Sequence, residues 1–538
     1  MNRKLTKILL VFLPIIIVFI VFISFLTIKL SGGYRPSIYN YESYLAPEIK
    51  NKLKQNYNYK EFKEVNEFTQ ALNAEKAIAG VGSDFQAAQL IIDNKIRKID
   101  FTKIFNENAN SWEYRKKLFR PAIVKHMEAF DRYIYDAIAN KKHPKARILD
   151  QEKKTYDVDG DGKADHFYDY IIPYYSQDKG IAYNTNKSTR PHLDTEAATK
   201  ELANQNGKLN WLEIVEILKK YNYKRFGWTN AYYDNLMLGA INKNVSNYNQ
   251  ITEENYKEYI DSFVDFVKKA TGANIKDTDL NFMSNDGLEL LNHLIEPKAK
   301  RSDAAVLYNG DALDAYYSRD NFDSVQDGNV RFIRPKNNYI LMDVWIISQG
   351  LSDKDTNTLL QTLKENVYAN NNVNSTLQSS LKTIEDKFFE EFKKHLTEDV
   401  IEFEKARLKS SYANDTNLDN ILKEVDEFRK ALIDNNYEKI LELRNSKYKY
   451  FHKFFQDVFD QSEVPEIANF NYISYTPTDS LFYEFIKKWY FANDKIALEI
   501  YSQFNDGEIA GYKLLPYPII DTNLRTKIVA YYYEKTRS

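Results

Sequence analysis

The stretch that decides the fold reads Ala304-Ala305-Val306-Leu307-Tyr308-Asn309-Gly310-Asp311, followed by Ala312-Leu313-Asp314-Ala315-Tyr316-Tyr317. After a polar turn it resumes as Val330-Arg331-Phe332-Ile333-Arg334-Pro335 and closes on Tyr339-Ile340-Leu341-Met342-Asp343-Val344-Trp345-Ile346-Ile347. A short apolar run ending in Asn-Gly before a helical pattern predicts a buried strand whose C-terminal end faces a crevice. The last segment is apolar on both parities, which predicts a second buried strand. Asp343 lies inside it. A carboxylate there is costly without a partner. Either it caps local backbone, or it awaits a cation.

The rest of the composition allows a large core. The chain has 538 residues, 43% hydrophobic and 28% charged, with Lys+Arg 74 against Asp+Glu 76. That length suits two or three domains, and the balanced charge gives no footprint for nucleic acid. Without cysteine there is no disulfide framework, thiolate metal site or cysteine nucleophile. With 41 Tyr, no single tyrosine is informative by its type alone.

Arg3, Lys4 and Lys7 precede a nearly unbroken apolar run, Ile8 to Ile28. About twenty such residues are enough to cross a hydrocarbon core as a helix. Basic residues before the span put the N-terminus in the cytoplasm and the bulk of the chain on the extracytoplasmic face of a cell membrane. A cleaved signal peptide is the rival reading. Against it, the run exceeds a usual h-region, and Ile28-Lys29-Leu30-Ser31-Gly32-Gly33 is a poor small-x-small site.

The order strand, Tyr308-Asn309-Gly310, helix, short strand ending at Pro335, then Met342-Asp343 resembles the spermidine/putrescine-binding proteins of ABC importers. Further segments carry the same resemblance: Asn40-Tyr41-Glu42-Ser43-Tyr44, Ile96-Arg97-Lys98-Ile99-Asp100, Tyr170-Ile171-Ile172-Pro173-Tyr174, Trp211-Leu212-Glu213-Ile214 and Tyr475-Thr476-Pro477. It implies an α/β, two-lobed, type II periplasmic-binding-protein-like fold with hinge strands at Tyr170–Asn184. To this the sequence adds an N-terminal transmembrane helix and an inserted helical bundle. The division it suggests is 1–33 anchor, 34–180 first lobe, 181–342 second lobe, 343–370 return to the first lobe, 371–455 insertion, and 456–538 completing the lobes.

On the resemblance, Asp343 holds a ligand amine, with Tyr41, Tyr44, Tyr308 and Tyr475 as aromatic walls. Phe85, at the start of the helix after Ser83, is a further candidate ligand contact. Which of Glu42 and Ser43 faces the ligand stays open. Ser83, between an apolar strand and a helix, reads as an N-cap, a ligand contact, or both. The chain departs from the family at Thr229-Asn230-Ala231-Tyr232-Tyr233-Asp234: two family acids correspond to Ala231 and Asp234, so one is lost and one shortened. Asp311, where the family has Ser, is the candidate to compensate. The implied partners are a polyamine or other small solute, the permease and ATPase subunits of an importer, and the membrane.

Asp157-Val158-Asp159-Gly160-Asp161-Gly162-Lys163-Ala164-Asp165 places acids at loop positions 1, 3, 5 and 9 with Gly at 6, the spacing that wraps oxygens round Ca²⁺. Tyr168 occupies position 12, where a bidentate Glu is usual, so Ca²⁺ and a solvated Asp/Gly hairpin both remain open. No cofactor is otherwise required. The seven histidines show no ligand spacing, and there is no G-x-S-x-G or P-loop, so no constellation supports an enzyme. The alternatives to polyamine binding are another small solute on the same fold, or a surface adhesion or scaffold protein with a degenerate cleft.

Overall fold

The computed structural model describes residues 35–537 except 64–65, 141–145, 245–249, 415, 447–450 and 492. The expected anchor, 1–33, lies outside the described residues; among these, no helix is long and apolar enough to cross a membrane.

In chain order the strands are β1 (Ser37–Tyr41), β2 (Asn58–Phe62), β3 (Ala79–Ser83), β4 (Arg147–Asp150), β5 (Thr155–Asp157), β6 (Ile171–Asn184) and β7 (Phe226–Thr229). There follow β8 (Asn281–Ser284), β9 (Ala304–Tyr308), β10 (Val330–Ile333), β11 (Asn337–Ile347), β12 (Thr476–Pro477) and β13 (Lys513–Pro516). All but the β4–β5 hairpin join one sheet, ordered β2-β1-β3-β11-β6-β9-β7-β8.

That sheet changes hands at one point. Up to Asp178, opposite Ile340, β6 pairs antiparallel with β11; from Lys179, opposite Tyr308, it pairs antiparallel with β9. On one side lie the parallel β1–β3 strands, and on the other the parallel β7–β9 strands. The architecture is therefore α/β with two lobes sharing β6, and the Asp178–Lys179 junction lies between them.

Every residue of β6 is buried, including Ser176, Gln177, Asp178 and Lys179. A polar run inside a sheet needs internal partners. Asp178 accepts from Arg334 at 2.5 and 3.1 Å and from Asn338 at 3.2 Å, while Arg334 also donates to the carbonyls of Glu499 and Ile500. Gly180 is required next to this junction. A Cβ there would lie 2.4 Å from the Phe332 ring and 2.8 Å from the Ile333 carbonyl, so the glycine lets β10 cross close by.

β11 follows its two-sided apolar pattern: ten of its eleven residues are buried, with Trp345 wholly enclosed. Between β11 and β12 the chain is helical, including Leu377–His395, Glu398–Ser411, Leu418–Ile433, Tyr437–Arg444 and Phe451–Asp460. Their Phe388, Phe389, Phe392, Phe428 and Phe455 form an aromatic core continuous with Ala305, Leu307 and Ala312 of the second lobe. The helices thus pack against that lobe.

Between Trp112 and Asn140 the helix is broken at Phe119-Arg120, and a new one starts at Pro121; proline fits the first turn and disfavours helix in the residue before it. After Pro477, β13 adds a parallel strand beside Asn337–Ile340.

Candidate functional site

The C-terminal ends of β1, β3 and β9 and the middle of β11 converge where the two halves of the sheet meet. β3 runs antiparallel to β11, with Ser83 opposite Asp343. Ser83 ends its strand and precedes the helix Asp84–Ile92, and its backbone N–H donates to the Gln86 side chain at 3.2 Å. The Tyr41 hydroxyl lies 3.1 Å from the Ser83 hydroxyl, and the Tyr44 hydroxyl donates to Asp343 at 2.6 Å. Ser83 thus stands at the N-cap of that helix with its hydroxyl beside Tyr41.

Among the described residues, no lysine or arginine pairs with Asp343. Burial pushes its carboxyl up to about 7 from the ordinary 3.8, with the nearby Asp84 adding to the rise, while bonds from Tyr44 and Ser83 oppose it. Asp84 is itself engaged, 2.6 Å from the His126 ring nitrogen and accepting the Met342 N–H at 3.0 Å. Asp343 is therefore an acid held in a dry place by neutral donors.

Asp311 is its counterpart in the second lobe. It lies in the first turn of the helix Asn309–Tyr316, beside Gly287 at the start of another helix. A Cβ on Gly287 would meet the Asp311 carboxylate at 3.0 Å, so glycine lets the acid approach that helix N-terminus, where a negative charge is favoured. The Tyr475 hydroxyl donates to Asp311 at 3.0 Å. Burial raises the Asp311 carboxyl to about 6, against the lowering effect of Lys179. Gly310 makes room for this: a Cβ there would strike the Tyr475 ring at 2.2 Å.

The two acids are linked through rings. Tyr44 meets Tyr475 edge-on at 5.4 Å and Tyr41 at 5.7 Å. Phe85, Tyr233 and Tyr517 pack together at 5.5–5.7 Å between centroids. Tyr41, Tyr233, Tyr308 and Tyr475 are only partly buried. The hydroxyls of all four are pushed well above their ordinary value, chiefly by burial, and stay neutral donors.

Three expectations fail here. Glu42 and Ser43 do not enter the site: Ser43 takes φ 57°, and the turn between Tyr41 and Tyr44 throws both outward, where Glu42 pairs with Lys63 at 2.9 Å. Asp234 reaches the site but is already taken. The Lys179 ammonium lies 2.8 Å from it, and the hydroxyls of Tyr308 and Tyr517 also donate to it. Lys179, Tyr233 and Tyr517 escaped the sequence reading. The polar Gln177-Asp178-Lys179 run in an otherwise apolar crossing strand was the available signal for the lysine.

In the Asp-rich loop, oxygens of Asp157, Asp159 and Asp165 lie within 4.8 Å of one another, without Asp161. Lys98 reaches Asp159 at 2.8 Å, Asp165 at 2.6 Å and Asp161 at 3.3 Å. An ammonium of the same chain thus supplies the compensating charge. Backbone N–H groups of Gly160 and Gly162 donate to Asp157.

No protein-family model and no curated protein matches this sequence. Solved structures do. The chain is similar to a candidate spermidine/putrescine ABC transporter from Listeria monocytogenes, at 10% identity and TM-score 0.45, over 93% of this chain and 98% of that one. It is also similar to a spermidine/putrescine ABC-transporter substrate-binding protein from Streptococcus pneumoniae, solved with calcium and HEPES, at 13% identity and TM-score 0.38, over 65% and 80% of the two chains. The TpPotD lipoprotein of Treponema pallidum gives 13% identity and TM-score 0.38, over 63% and 82%.

Proposed function

We propose that this protein is the extracytoplasmic solute-binding component of an ABC importer, closing its two lobes on a small cationic solute of the polyamine class. The observation that carries the reading is Asp343: a carboxyl buried at the junction of the lobes, bonded by the Tyr44 phenol, with no lysine or arginine paired to it among the described residues. An ammonium group would supply the missing charge, and the partly buried tyrosine faces would cover its methylenes. A hydrogen bond to a charged group contributes about 1.5–3 kcal/mol and a cation over a ring about 0.5–2 kcal/mol. Micromolar binding requires about 8 kcal/mol, which Asp343, Asp311 and the rings reach at the upper end of those ranges.

The protein binds its solute and does not transform it. Residues 1–33 would anchor it, single-pass, with the permease and ATPase supplied by other chains. The helices after residue 371 would be an insertion between the parts of the lobes. Calcium in the 157–169 loop, through Asp157, Asp159, Asp161 or Asp165, would act as a staple only. Titration calorimetry of residues 34–538 with putrescine and spermidine at pH 8 tests the assignment, with sucrose as the comparison. Saturable micromolar heat with a polyamine is expected. Binding of sucrose but no amine would place the protein with binders of another solute, and heat with neither would leave a cleft that has lost its ligand.

A further inference from the structure

Lys179 lies at the turnover point of β6, and its side chain is 0% exposed. Its ammonium has a complete set of partners: the Asp234 carboxylate at 2.8 Å, the Thr229 hydroxyl at 2.7 Å and the face of the Tyr308 ring at 3.6 Å from its centroid. A carboxylate, a hydroxyl and an aromatic face are what a binding pocket offers an alkylammonium ion. Here the chain's own lysine fills the place. It donates to Thr229, pairs in charge with Asp234 and lies over the Tyr308 ring, so the charge of this end of the cleft is already matched within the chain.

We propose that Lys179 is a tethered ammonium that occupies the second-lobe end of the cleft and sets its selectivity. Only Asp343 and Asp311 then remain to receive ligand charge, and the site takes a short diamine while excluding a longer polyamine whose additional ammonium would need Asp234. This rests on the cationic-solute reading above and adds the length limit to it. The tether also explains why a buried acid at Asp234 persists without ligand: it is neutralised in place, with Tyr308 and Tyr517 holding its other oxygen.

The test compares putrescine and spermidine by titration calorimetry on three proteins. Wild type is expected to bind putrescine at least about tenfold more tightly than spermidine, the worth of one charge-assisted hydrogen bond. Lys179→Met frees Asp234 and is expected to raise spermidine affinity by about tenfold or more, with putrescine little changed. The double variant Lys179→Met/Asp234→Asn removes both charges, so it keeps the fold if the single variant does not, and it should show no spermidine gain. Equal or tighter spermidine binding by wild type overturns the proposal while leaving the cationic-solute reading intact. A spermidine gain in the double variant overturns the role given to Asp234. Failure of wild type to bind either amine overturns the underlying reading instead.

Discussion

Replacing Asp343 by asparagine should move stability and binding in opposite directions. The asparagine keeps the side chain's size and can still accept from Tyr44, whose hydroxyl is 2.6 Å away. What disappears is the cost of ionising a buried carboxyl. With Asp343 raised to about 7 from 3.8, that cost is on the order of 4 kcal/mol in the empty protein at pH 8. A weaker bond from Tyr44 offsets about 1 kcal/mol of the gain. Asp343→Asn should therefore unfold at higher urea than wild type at pH 8, and at similar urea at pH 4, where both residues are neutral. Binding should weaken instead: losing a charge-assisted bond to an ammonium costs about 1.5–3 kcal/mol, or roughly 10- to 100-fold in Kd. Urea unfolding followed by circular dichroism, with putrescine calorimetry at pH 8, reads both quantities. A variant that is destabilised, or that binds putrescine as tightly as wild type, would refute the reasoning.

Three other expectations follow from the same physics. The ligand-free wild type should lose stability as pH rises from about 4 to about 7, because raised carboxyls at Asp343 and Asp311 bind protons in the folded state that the unfolded chain has released; thermal melts across that range check the sign, and a steady gain would contradict it. Arg334→Met should cost about 3–5 kcal/mol, since it leaves Asp178 charged and buried at the lobe junction; a loss under 1 kcal/mol in urea unfolding would mean that Asn338 alone can satisfy the acid. In the Asp-rich loop, an added cation must displace Lys98 from Asp159 and Asp165. Lys98→Met should accordingly bind terbium more tightly by tyrosine-sensitised luminescence, and equal affinity would show that the ammonium does not guard the loop.

The strands that build the site were legible because their residues are apolar on both faces. β9 and β11 announce themselves this way, and Asp343 stands out against that background. Ser83 was legible as a strand end before a helix. The misassignments have local causes. Nothing in Tyr41-Glu42-Ser43-Tyr44 reveals that Ser43 adopts a left-handed conformation, yet that one angle turns Glu42 to solvent and Tyr44 inward. Asp234 reads as an available acid until the fold brings Lys179, 55 positions earlier in the chain, to 2.8 Å. Tyr233 and Tyr517 are lost among 41 tyrosines, and only the tertiary packing against Phe85 singles them out.

The central claim is that an incoming ammonium replaces a proton on a buried acid between the lobes, and proton counting addresses it most directly. At pH 6 the empty protein holds Asp343 largely protonated, with its carboxyl at about 7. With Asp311 at about 6 and half protonated there, putrescine titrated at pH 6 in two buffers of different ionisation enthalpy should then show release of about one to one and a half protons per ligand bound, declining toward zero at pH 8. Saturable binding with the same apparent enthalpy in both buffers at pH 6 would contradict the account, because the ligand would be meeting no acid that it has to ionise.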